Sequence, residues 1–461
     1  MVFGMVLLSA ASADPATIHR TTLHKAVHWT DVHVDPLYKA GSDSKSDYCD
    51  SGKGDAGMFG HSEGNCATPQ SLYEGAVDFL VGQGVDTVLF TGDFTQAGLT
   101  SLPDVVKVIQ YDIAQLRSKL PNSRIFACLG NHDAYPGDVY PYPFPELYGK
   151  IADVWGQDLD SRAKKQLLQG GYYSTDAGQG LQVIALNSMY LTTLNPLVKS
   201  TSSAAYKQGF VQMDWFAAEL AAAAARGAHV WVLAHVPFDD GYISAHVSRY
   251  QQLMEKYAHV VTGQFYGHDH NDYFKVTRSC DGSSCRGTPT GTLFAGPSLT
   301  EGFPPENPGV RMYLYDDSHT VHDAVTYWVN LTKANAKREI EFEYEYSFRD
   351  AYNLTDLSPA SMEELIGRMN TSQATFDAFY SYFYRRYDGP SLPSCDVSCQ
   401  RGLVCKLAFV DADDVKSCAG SANADLHSAI FCHHHGAAVA AGDPVCARPS
   451  PVVHTQASLV V

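Results

Sequence analysis

Residues 125–133 read Ile-Phe-Ala-Cys-Leu-Gly-Asn-His-Asp, an apolar run that ends in glycine, an amide, an imidazole and a carboxylate. The run predicts a buried strand at Ile125–Leu129, and the Gly-Asn-His-Asp sequence after it is also typical of a turn. An Asn carbonyl beside an imidazole offers a neutral oxygen ligand together with a group that transfers protons. In open α/β sheets, ligands bind beyond the carboxyl ends of the strands. This stretch therefore predicts an α/β fold with Asn131 and His132 at a binding cleft.

Four more polar motifs come at the ends of predicted strands. Thr30-Asp31-Val32-His33 follows Ala26–Trp29, Gly92-Asp93 follows Thr87–Phe90, His235 follows Val230–Ala234, and Gly267-His268-Asp269-His270 follows Val260–Phe265. The single residue between Asp31 and His33 lets both side chains point the same way from an extended segment. Each motif is weak alone, since such pairs also occur in surface loops. Their positions after successive strands predict that they converge.

Seven candidate metal ligands result from the five motifs. They are Asp31, His33, Asp93, Asn131, His235, His268 and His270. This mixture of nitrogen and oxygen donors suits zinc, iron or manganese. If one carboxylate bridges, the set supplies four protein ligands to each of two metal ions, which predicts a dinuclear centre.

The rest of the first 300 residues alternates short apolar runs with amphipathic or Ala-rich segments, as α/β folds do. Further strands are predicted at Leu181–Leu186 and Thr292–Ala295, helices at Leu72–Val81, Pro103–Leu120 and Asp214–Ala225, and a loop at Thr201–Lys207. After about residue 330 the pattern of apolar and polar residues changes. The pattern there predicts a half-buried strand at Ile340–Phe348, helices at Ser361–Met369 and Gln373–Arg386, and a Cys-rich end.

The chain has 461 residues and a formal net charge of −17. A surface this acidic repels a phosphate backbone, which argues against nucleic-acid binding. It does not argue against a small anionic substrate, because bound metal ions would set the local field. With 45% hydrophobic residues the chain can bury a large core, and no apolar stretch reaches the length of a membrane span. We expect a monomer with a small-molecule substrate.

Two features of the sequence, besides the cysteines, indicate secretion. The apolar N-terminus ends in Ala11-Ser12-Ala13, which predicts a signal peptide at residues 1–13. The stretch is short and no basic residue precedes it, so a truncated signal or an ordinary apolar N-terminus are alternatives. Glycosylation sequons begin at Asn330, Asn353 and Asn370.

Cysteine usage also fits an oxidising compartment. Of the 11 cysteines, Cys128 lies inside an apolar run, which predicts a buried free thiol. The others form an even set compatible with five disulfides: Cys49, Cys66, Cys280, Cys285, Cys395, Cys399, Cys405, Cys418, Cys432 and Cys446. A structural zinc site in the C-terminal group is the alternative.

The order of the five motifs resembles the signature of the calcineurin-like metallophosphoesterases, and the chain more closely resembles the acid sphingomyelinase-like phosphodiesterases. The likeness runs from His28 to about Cys418. It is carried by Asp31-Val32-His33-Val34-Asp35-Pro36-Leu37-Tyr38, Gly130-Asn131-His132-Asp133, Gly263-Gln264-Phe265-Tyr266-Gly267-His268, Asn307-Pro308-Gly309-Val310-Arg311 and the Cys395/Cys399/Cys405/Cys418 spacing, which pairs as neighbours in the family.

The resemblance implies a fold and a division of the chain. The fold would be a four-layer αββα sandwich with a C-terminal helical, disulfide-rich subdomain. The catalytic domain would span residues 24–330 and the subdomain residues 331–436. Residues 437–461, rich in Ala, Pro and Val, would form a disordered tail.

The resemblance also implies a role for each site residue. One metal ion would be bound by Asp31, His33 and His270, the other by Asn131, His235 and His268, with Asp93 bridging. The two ions, expected to be zinc, would hold a hydroxide that attacks phosphorus in line while they neutralise the developing charge. His132 would protonate the leaving oxygen as general acid, with a packing role as its alternative.

One departure from the family pattern concerns a second His that relatives carry shortly after Gly-Asp. The stretch here reads Gly92-Asp93-Phe94-Thr95-Gln96-Ala97, and Gln96 is the candidate replacement contact to the substrate. Tyr135 is a second substrate-binding candidate, by stacking on a base or a choline group, with plain packing as the alternative.

The expected class of substrate depends on the residues that precede the first motif. Too few residues lie between the predicted cleavage site and Asp31 for a saposin-like lipid-handling domain, which favours water-soluble substrates, and the family resemblance implies nucleotide di- and triphosphates or phosphocholine-type diesters. Sphingomyelin hydrolysis to ceramide and phosphocholine, with peripheral lipid contact, is the first alternative, and endopolyphosphatase activity is a weaker one. A catalytically impaired secreted binding protein is the alternative from another class. The predicted location is extracellular or lysosomal.

Overall fold

A computed structural model describes residues 23–420 except Asp47, Asp240, Ser283 and residues 302–304. Within these residues the strands are β1 (His24–Trp29), β2 (Val34–Asp35), β3 (Thr68–Pro69), β4 (Thr87–Phe90), β5 (Arg124–Ala127), β6 (Tyr173–Gly178), β7 (Leu181–Ala185), β8 (His229–Leu233), β9 (Val261–Tyr266), β10 (Tyr273–Arg278), β11 (Pro289–Ala295), β12 (Gly309–Tyr315), β13 (Val321–Trp328) and β14 (Glu343–Ser347). The helices are α1 (Gln70–Leu80), α2 (Leu102–Lys119), α3 (Pro145–Trp155), α4 (Ser161–Gly170), α5 (Ala204–Arg226), α6 (Ser244–Lys256), α7 (Leu331–Lys337), α8 (Phe348–Tyr352), α9 (Pro359–Thr371), α10 (Gln373–Phe383), α11 (Val397–Ala408) and α12 (Ala412–Ala419).

Two six-stranded sheets form the centre of the fold. The first has the order β14-β13-β12-β1-β4-β5, and the second has the order β10-β11-β9-β8-β7-β6. Strands β1, β4 and β5 run parallel, as do β7, β8, β9 and β11, whereas β12, β13 and β14 in the first sheet and β6 and β10 in the second pair antiparallel with their neighbours. Because parallel strands end on the same side of a sheet, the loops after β1, β4, β5, β8 and β9 can meet at one edge.

The sheets pack face to face, with helices on their outer faces. Along β8, Val230 and Val232 join a core cluster that includes residues of α5 and α6. The alternate residues Trp231 and Leu233 join the other core cluster, where the Trp231 ring lies 4.9 Å from that of Tyr315 in the first sheet. A strand buried on both faces is apolar at every position, which explains why the sequence shows continuous apolar runs.

Helix α1 covers the opposite outer face, where Tyr73 packs edge-on against Trp29 of β1 with ring centroids 5.8 Å apart. The arrangement is helices, sheet, sheet and helices. It confirms the predicted four-layer α/β sandwich.

The C-terminal part is helical and disulfide-rich, as predicted. Helices α9 to α12 pack together, and disulfides join Cys395 to Cys399 and Cys405 to Cys418. Strand β14 nevertheless pairs with β13, so the predicted subdomain continues the first sheet beyond residue 330. The division of the chain at that residue therefore stays a prediction.

Further disulfides join Cys49 to Cys66 and Cys280 to Cys285, and Cys128 is buried with a free thiol. Cys432, Cys446, the predicted signal peptide at 1–13 and the predicted tail at 437–461 lie outside the described residues. None of the described helices combines the length and apolar character that a membrane span requires.

The structure corrects three local predictions. Thr201–Lys207 is not all loop, because Ser203 caps α5 by accepting a hydrogen bond from the Tyr206 N–H, so the helix begins at Ala204. The helix predicted at Gln373–Arg386 ends at Phe383, because Arg385 and Arg386 have left-handed φ of 49° and 52°. The strand predicted at Ile340–Phe348 is shorter, since it starts at Glu343 and α8 begins at Phe348.

Candidate metal centre

The seven predicted ligand side chains meet where the loops after β1, β4, β5, β8 and β9 converge. Asp31, His33 and His270 form one group, and Asp93, His235 and His268 form a second. Within each group the ligand atoms lie within 4.8 Å of one another. Asn131 joins the second group, because its Oδ1 lies 2.9 Å from His235 Nε2 and 3.0 Å from His268 Nδ1.

The donor atoms face one another at short range. His33 Nε2 lies 3.1 Å from His270 Nε2, and both side chains are buried. Lone pairs of neighbouring imidazoles repel unless a proton or a cation lies between them. A buried set of imidazole, amide and carboxylate donors is therefore chemically suited to divalent cations.

Each carboxylate accepts a backbone hydrogen bond and also turns an oxygen toward the donors. Asp93 Oδ1 accepts the His132 N–H at 2.8 Å, and Asp93 Oδ2 lies 3.5 Å from His33 Nε2 and 3.2 Å from His235 Nε2. Asp31 Oδ2 accepts the His268 N–H at 2.9 Å, and Asp31 Oδ1 lies 3.6 Å from His270 Nε2. Asp93 thus stands between the two groups.

Two of the imidazoles are oriented by backbone carbonyls. His33 Nδ1 lies 2.9 Å from the Thr95 carbonyl oxygen, and His235 Nδ1 lies 2.7 Å from that of Thr91. A carbonyl only accepts hydrogen bonds, so each Nδ1 must carry the proton. In the neutral imidazole Nε2 then carries the lone pair and faces the centre, which is the tautomer that a metal ligand needs.

Asp133 connects two of the site loops. Its Oδ2 accepts the backbone N–H groups of Asp93 at 2.9 Å and Gly130 at 2.7 Å, and its Oδ1 accepts that of Phe94 at 2.9 Å. The loops touch so closely that a Cβ on Gly130 would lie 2.1 Å from Asp93 Oδ1. Glycine is therefore required there, and Asp133 holds the loop after β4 against the loop after β5.

Five of the seven ligand residues have a left-handed backbone. The φ angles are 48° at Asp31, 42° at His33, 54° at Asp93, 73° at His268 and 62° at His270. Residues other than glycine avoid this region, at a cost of roughly 1–3 kcal/mol each. Such strain clusters at functional sites, and it persists only where neighbouring contacts fix the backbone.

The pKa values show how charge is balanced in the absence of a cation. Burial lowers the pKa of His33 to about 4 and raises that of Asp31 to about 8, so both groups are held neutral at pH 7. Burial also opposes a charge on His235, but Asp93 and Asp31 outweigh it and raise the pKa of His235 to about 10. Asp31 and His235 are therefore both protonated at pH 7, and their protons lie among the converging donor atoms. Divalent cations would displace them, and these residues therefore fit a dinuclear centre.

The predicted catalytic residue lies beside the two groups. The ring centroid of His132 is 5.3 Å from that of His33, and Thr95 Oγ donates to the His132 carbonyl at 2.7 Å. Tyr135 is 43% exposed on the same loop. Gln96 is buried; its Nε2 lies 3.5 Å from Asp35 Oδ1 and its Oε1 accepts the Gly98 N–H.

Sequence reasoning missed the residues that hold the ligands in place. Asp133 belongs to the Gly-Asn-His-Asp motif, so the sequence placed it near the site but did not indicate that it accepts hydrogen bonds from both loops. Asp138 accepts a hydrogen bond from Asn131 Nδ2 at 3.0 Å, which turns Asn131 Oδ1 toward the histidines. No pattern in the sequence pointed to Asp138, because the turn that returns it to Asn131 is set by the loop geometry.

Comparison with known proteins identifies the family of the chain. Residues 24–272 match the calcineurin-like phosphoesterase family, and residues 299–424 match the acid sphingomyelin phosphodiesterase C-terminal region. The chain is 31% identical over 419 residues to the cyclic GMP-AMP phosphodiesterase SMPDL3A of Mus musculus, which covers 85% of this chain and 90% of that protein. It is 30% identical over 412 residues to sphingomyelin phosphodiesterase A of Dictyostelium discoideum, and this match covers 85% of this chain and 67% of that protein.

The similarity to solved structures is lower. A dimetal phosphatase from Danio rerio matches with a TM-score of 0.40 at 12% identity, covering 66% of this chain and 95% of that chain. The resemblance inferred from the motifs is confirmed by the two family matches and by the two relatives. The chain belongs to the calcineurin-like phosphoesterases, within their acid sphingomyelinase-like group, and is a phosphoric diester hydrolase.

Proposed function

We propose that the chain is a dinuclear-metal phosphodiesterase that hydrolyses small, soluble phosphodiesters and phosphoanhydrides, nucleotides above all. The observation that carries the proposal is the position of Asp93 Oδ2, 3.5 Å from His33 Nε2 and 3.2 Å from His235 Nε2. One carboxylate oxygen adjoining two groups of nitrogen and oxygen donors is what a close pair of cations requires.

The proposed ligand sets are those implied by the motifs. One cation would be held by Asp31, His33 and His270, the other by Asn131, His235 and His268, with Asp93 shared. When bound, such ions polarise phosphoryl oxygens and make water a stronger nucleophile. Four imidazoles favour zinc over magnesium or calcium, which prefer all-oxygen sites, so zinc is the proposed metal.

His132 is proposed to protonate the leaving oxygen. Its backbone N–H donates to Asp93 Oδ1 at 2.8 Å, which fixes the residue beside the shared carboxylate, while the side chain is not fully buried. A ribose alkoxide needs a proton as it leaves, whereas p-nitrophenolate is a stable anion that does not. The two kinds of leaving group therefore separate an acid role from a packing role.

The test compares His132→Gln with the wild-type chain on both kinds of substrate. We expect kcat/KM to fall about 10²–10⁴-fold on a cyclic dinucleotide and less than about tenfold on bis-p-nitrophenyl phosphate. Asp93→Asn, as a control, should lose activity on both substrates. Equal losses for His132→Gln on both substrates would contradict the acid role.

The names of two relatives define the substrate classes to compare. The mouse relative, matched over 90% of its length, is a cyclic GMP-AMP phosphodiesterase, and the Dictyostelium discoideum relative, matched over 67% of its length, is a sphingomyelin phosphodiesterase. We place nucleotides first because the more completely matched relative acts on one. Sphingomyelin hydrolysis is the second candidate, supported by the name of the other relative.

The purified chain would be assayed on cyclic GMP-AMP, ATP, CDP-choline and sphingomyelin micelles, and on bis-p-nitrophenyl phosphate with and without a chelator. We expect the chelator to abolish turnover and zinc to restore it. Sphingomyelin as the best substrate would overturn the substrate class alone. Turnover that resists complete metal removal would overturn the dinuclear centre.

We further propose that the protein reaches the extracellular space or the lysosome through the secretory pathway. Four disulfides in the described residues support this location. The sequon residues Asn353 and Asn370 are exposed, whereas Asn330 caps α7 by accepting the Lys333 N–H at 2.9 Å. Expression in a secreting cell line should yield protein in the medium whose mass falls after enzymatic deglycosylation; an unglycosylated intracellular product would contradict the proposal.

A further inference from the structure

We infer that Arg385 is a positioning residue for the ligand group Asp31, His33 and His270, and that it controls the occupancy of that metal position alone. The inference rests on the ligand roles proposed above. Arg385 lies just after α10, within the region that matches the acid sphingomyelin phosphodiesterase C-terminal family. It is fully buried, although it is more than one hundred residues away from His270 in sequence.

The guanidinium holds the backbone of His270. Arg385 Nη1 donates to the His270 carbonyl oxygen at 2.8 Å, and the Ser298 N–H donates to the same oxygen at 2.9 Å. Both lone pairs of this carbonyl are therefore engaged. His270 has a left-handed φ of 62°, a conformation that persists only where surrounding contacts fix it. Arg385 supplies one of those contacts.

The same guanidinium holds a buried carboxylate next to the His270 ring. Arg385 Nη2 lies 2.6 Å from Glu306 Oε1, which also accepts from Ser298 Oγ at 2.8 Å and lies 4.0 Å from His270 Nδ1. Glu306 is fully buried, so its charge depends on the arginine. The Glu306 carboxylate lies beyond hydrogen-bond distance of His270 Nδ1, but its charge beside the ring nitrogen that does not face the centre favours this orientation of the imidazole.

Arg385 is itself held rigidly. Its Nε donates to the Asn307 carbonyl, and its own carbonyl accepts from Asn307 Nδ2 at 3.1 Å. A Cβ on Gly309 would lie 2.4 Å from Arg385 Cδ, so the side chain fills its space tightly. A shorter or more mobile side chain could not replace these contacts together, which distinguishes arginine from lysine at this position.

The second ligand group is fixed by different residues. His235 is oriented by the Thr91 carbonyl, and Asn131 is turned toward it by Asp138. Within the part of the chain that the structure describes, the Arg385 guanidinium contacts His270 and the neighbouring Ser298, Glu306 and Asn307, and it makes no hydrogen bond to His235 or Asn131. Loss of Arg385 should therefore weaken one metal position and spare the other.

The experiment measures zinc binding to full-length chains after chelation and desalting, by isothermal titration and by metal analysis. Arg385→Lys and Glu306→Gln are the test variants, so that the inference does not depend on one variant folding. His270→Ala identifies the binding step that belongs to its ligand group. Arg386→Lys is the matched control, because Arg386 is exposed and its Nη2 donates to the Glu345 carbonyl at 2.9 Å.

We expect both test variants to keep the wild-type circular dichroism spectrum and to bind zinc about 10–100-fold more weakly at the step that His270→Ala removes. The other step should keep its affinity, and Arg386→Lys should match the wild type at both. Equal weakening of both steps, or no weakening in a folded variant, would overturn the inference. A wild-type chain that binds no metal would instead overturn the dinuclear centre itself.

Discussion

The substitution Asp133→Asn tests whether one carboxylate holds the two central loops together. The carboxylate accepts three backbone N–H groups, from Asp93, Gly130 and Phe94. If the Asn oxygen takes the position of Oδ2, it keeps the hydrogen bonds from the Asp93 and Gly130 N–H groups. Its NH₂ group then replaces Oδ1, which in the wild type accepts the Phe94 N–H at 2.9 Å, so the Phe94 N–H loses its acceptor. A buried N–H without an acceptor costs about 1–3 kcal/mol, and the two remaining bonds lose their charge assistance.

We therefore expect the free energy of unfolding to fall by about 2–4 kcal/mol, measured by urea titration of chelated protein at about pH 9. Burial raises the pKa of Asp133 to about 7, so between about pH 4 and 7 the folded state holds a proton that the unfolded chain releases, and the wild type should gain stability relative to Asn as the pH falls through that window. Asp160→Asn is the control, because Asn also serves well at this exposed cap of α4. A difference below about 0.5 kcal/mol at alkaline pH would refute the reasoning.

Three further predictions concern a buried histidine, a disulfide and a residue that orients a ligand. Burial lowers the pKa of His28 to about 3, so the wild type should lose about 1.4 kcal/mol per pH unit relative to His28→Gln as the pH falls from about 6.5 toward 3, and parallel pH profiles of unfolding would contradict this. Replacing Cys49 and Cys66 with Ala opens a 17-residue loop and should cost about 3 kcal/mol in urea titration, whereas an unchanged midpoint would show that the loop is ordered without the bond. Asp138→Ala should lower kcat/KM about 5- to 30-fold by freeing the Asn131 amide. Asp138→Asn keeps an acceptor, so its fold loss in kcat/KM should be less than half as large. Equal kcat/KM values for the two variants would contradict the orienting role of Asp138.

The sequence was most informative where local and global constraints agree. The runs before Asp31, Asp93 and Asn131 are mostly apolar because their strands are buried on both faces, and the polar motifs mark where those strands end. Parallel pairing then brings the motifs to one edge of the sheets. Strand ends and candidate ligands were therefore predictable together.

Contacts that join distant segments were not predictable in this way. Arg385 looked like the end of an aromatic helix, and Glu306 stood beside a Pro-Gly turn with no periodic pattern. Their pairing depends on where the C-terminal region returns to the sheet, which no local propensity encodes. The early start of α5 was missed for a simpler reason: Ser203 is a cap, but the residues around it read as a polar loop.

The pairing of β14 with β13 has a consequence for shortened forms of the protein. A chain that stops at residue 330 would lose β14, and β13 would become the outermost strand of its sheet. Its backbone N–H and C=O groups between Val325 and Trp328 would then be unpaired and open to strands of other molecules. Such a truncated chain, although it would retain all seven candidate ligands, is expected to self-associate through that exposed edge.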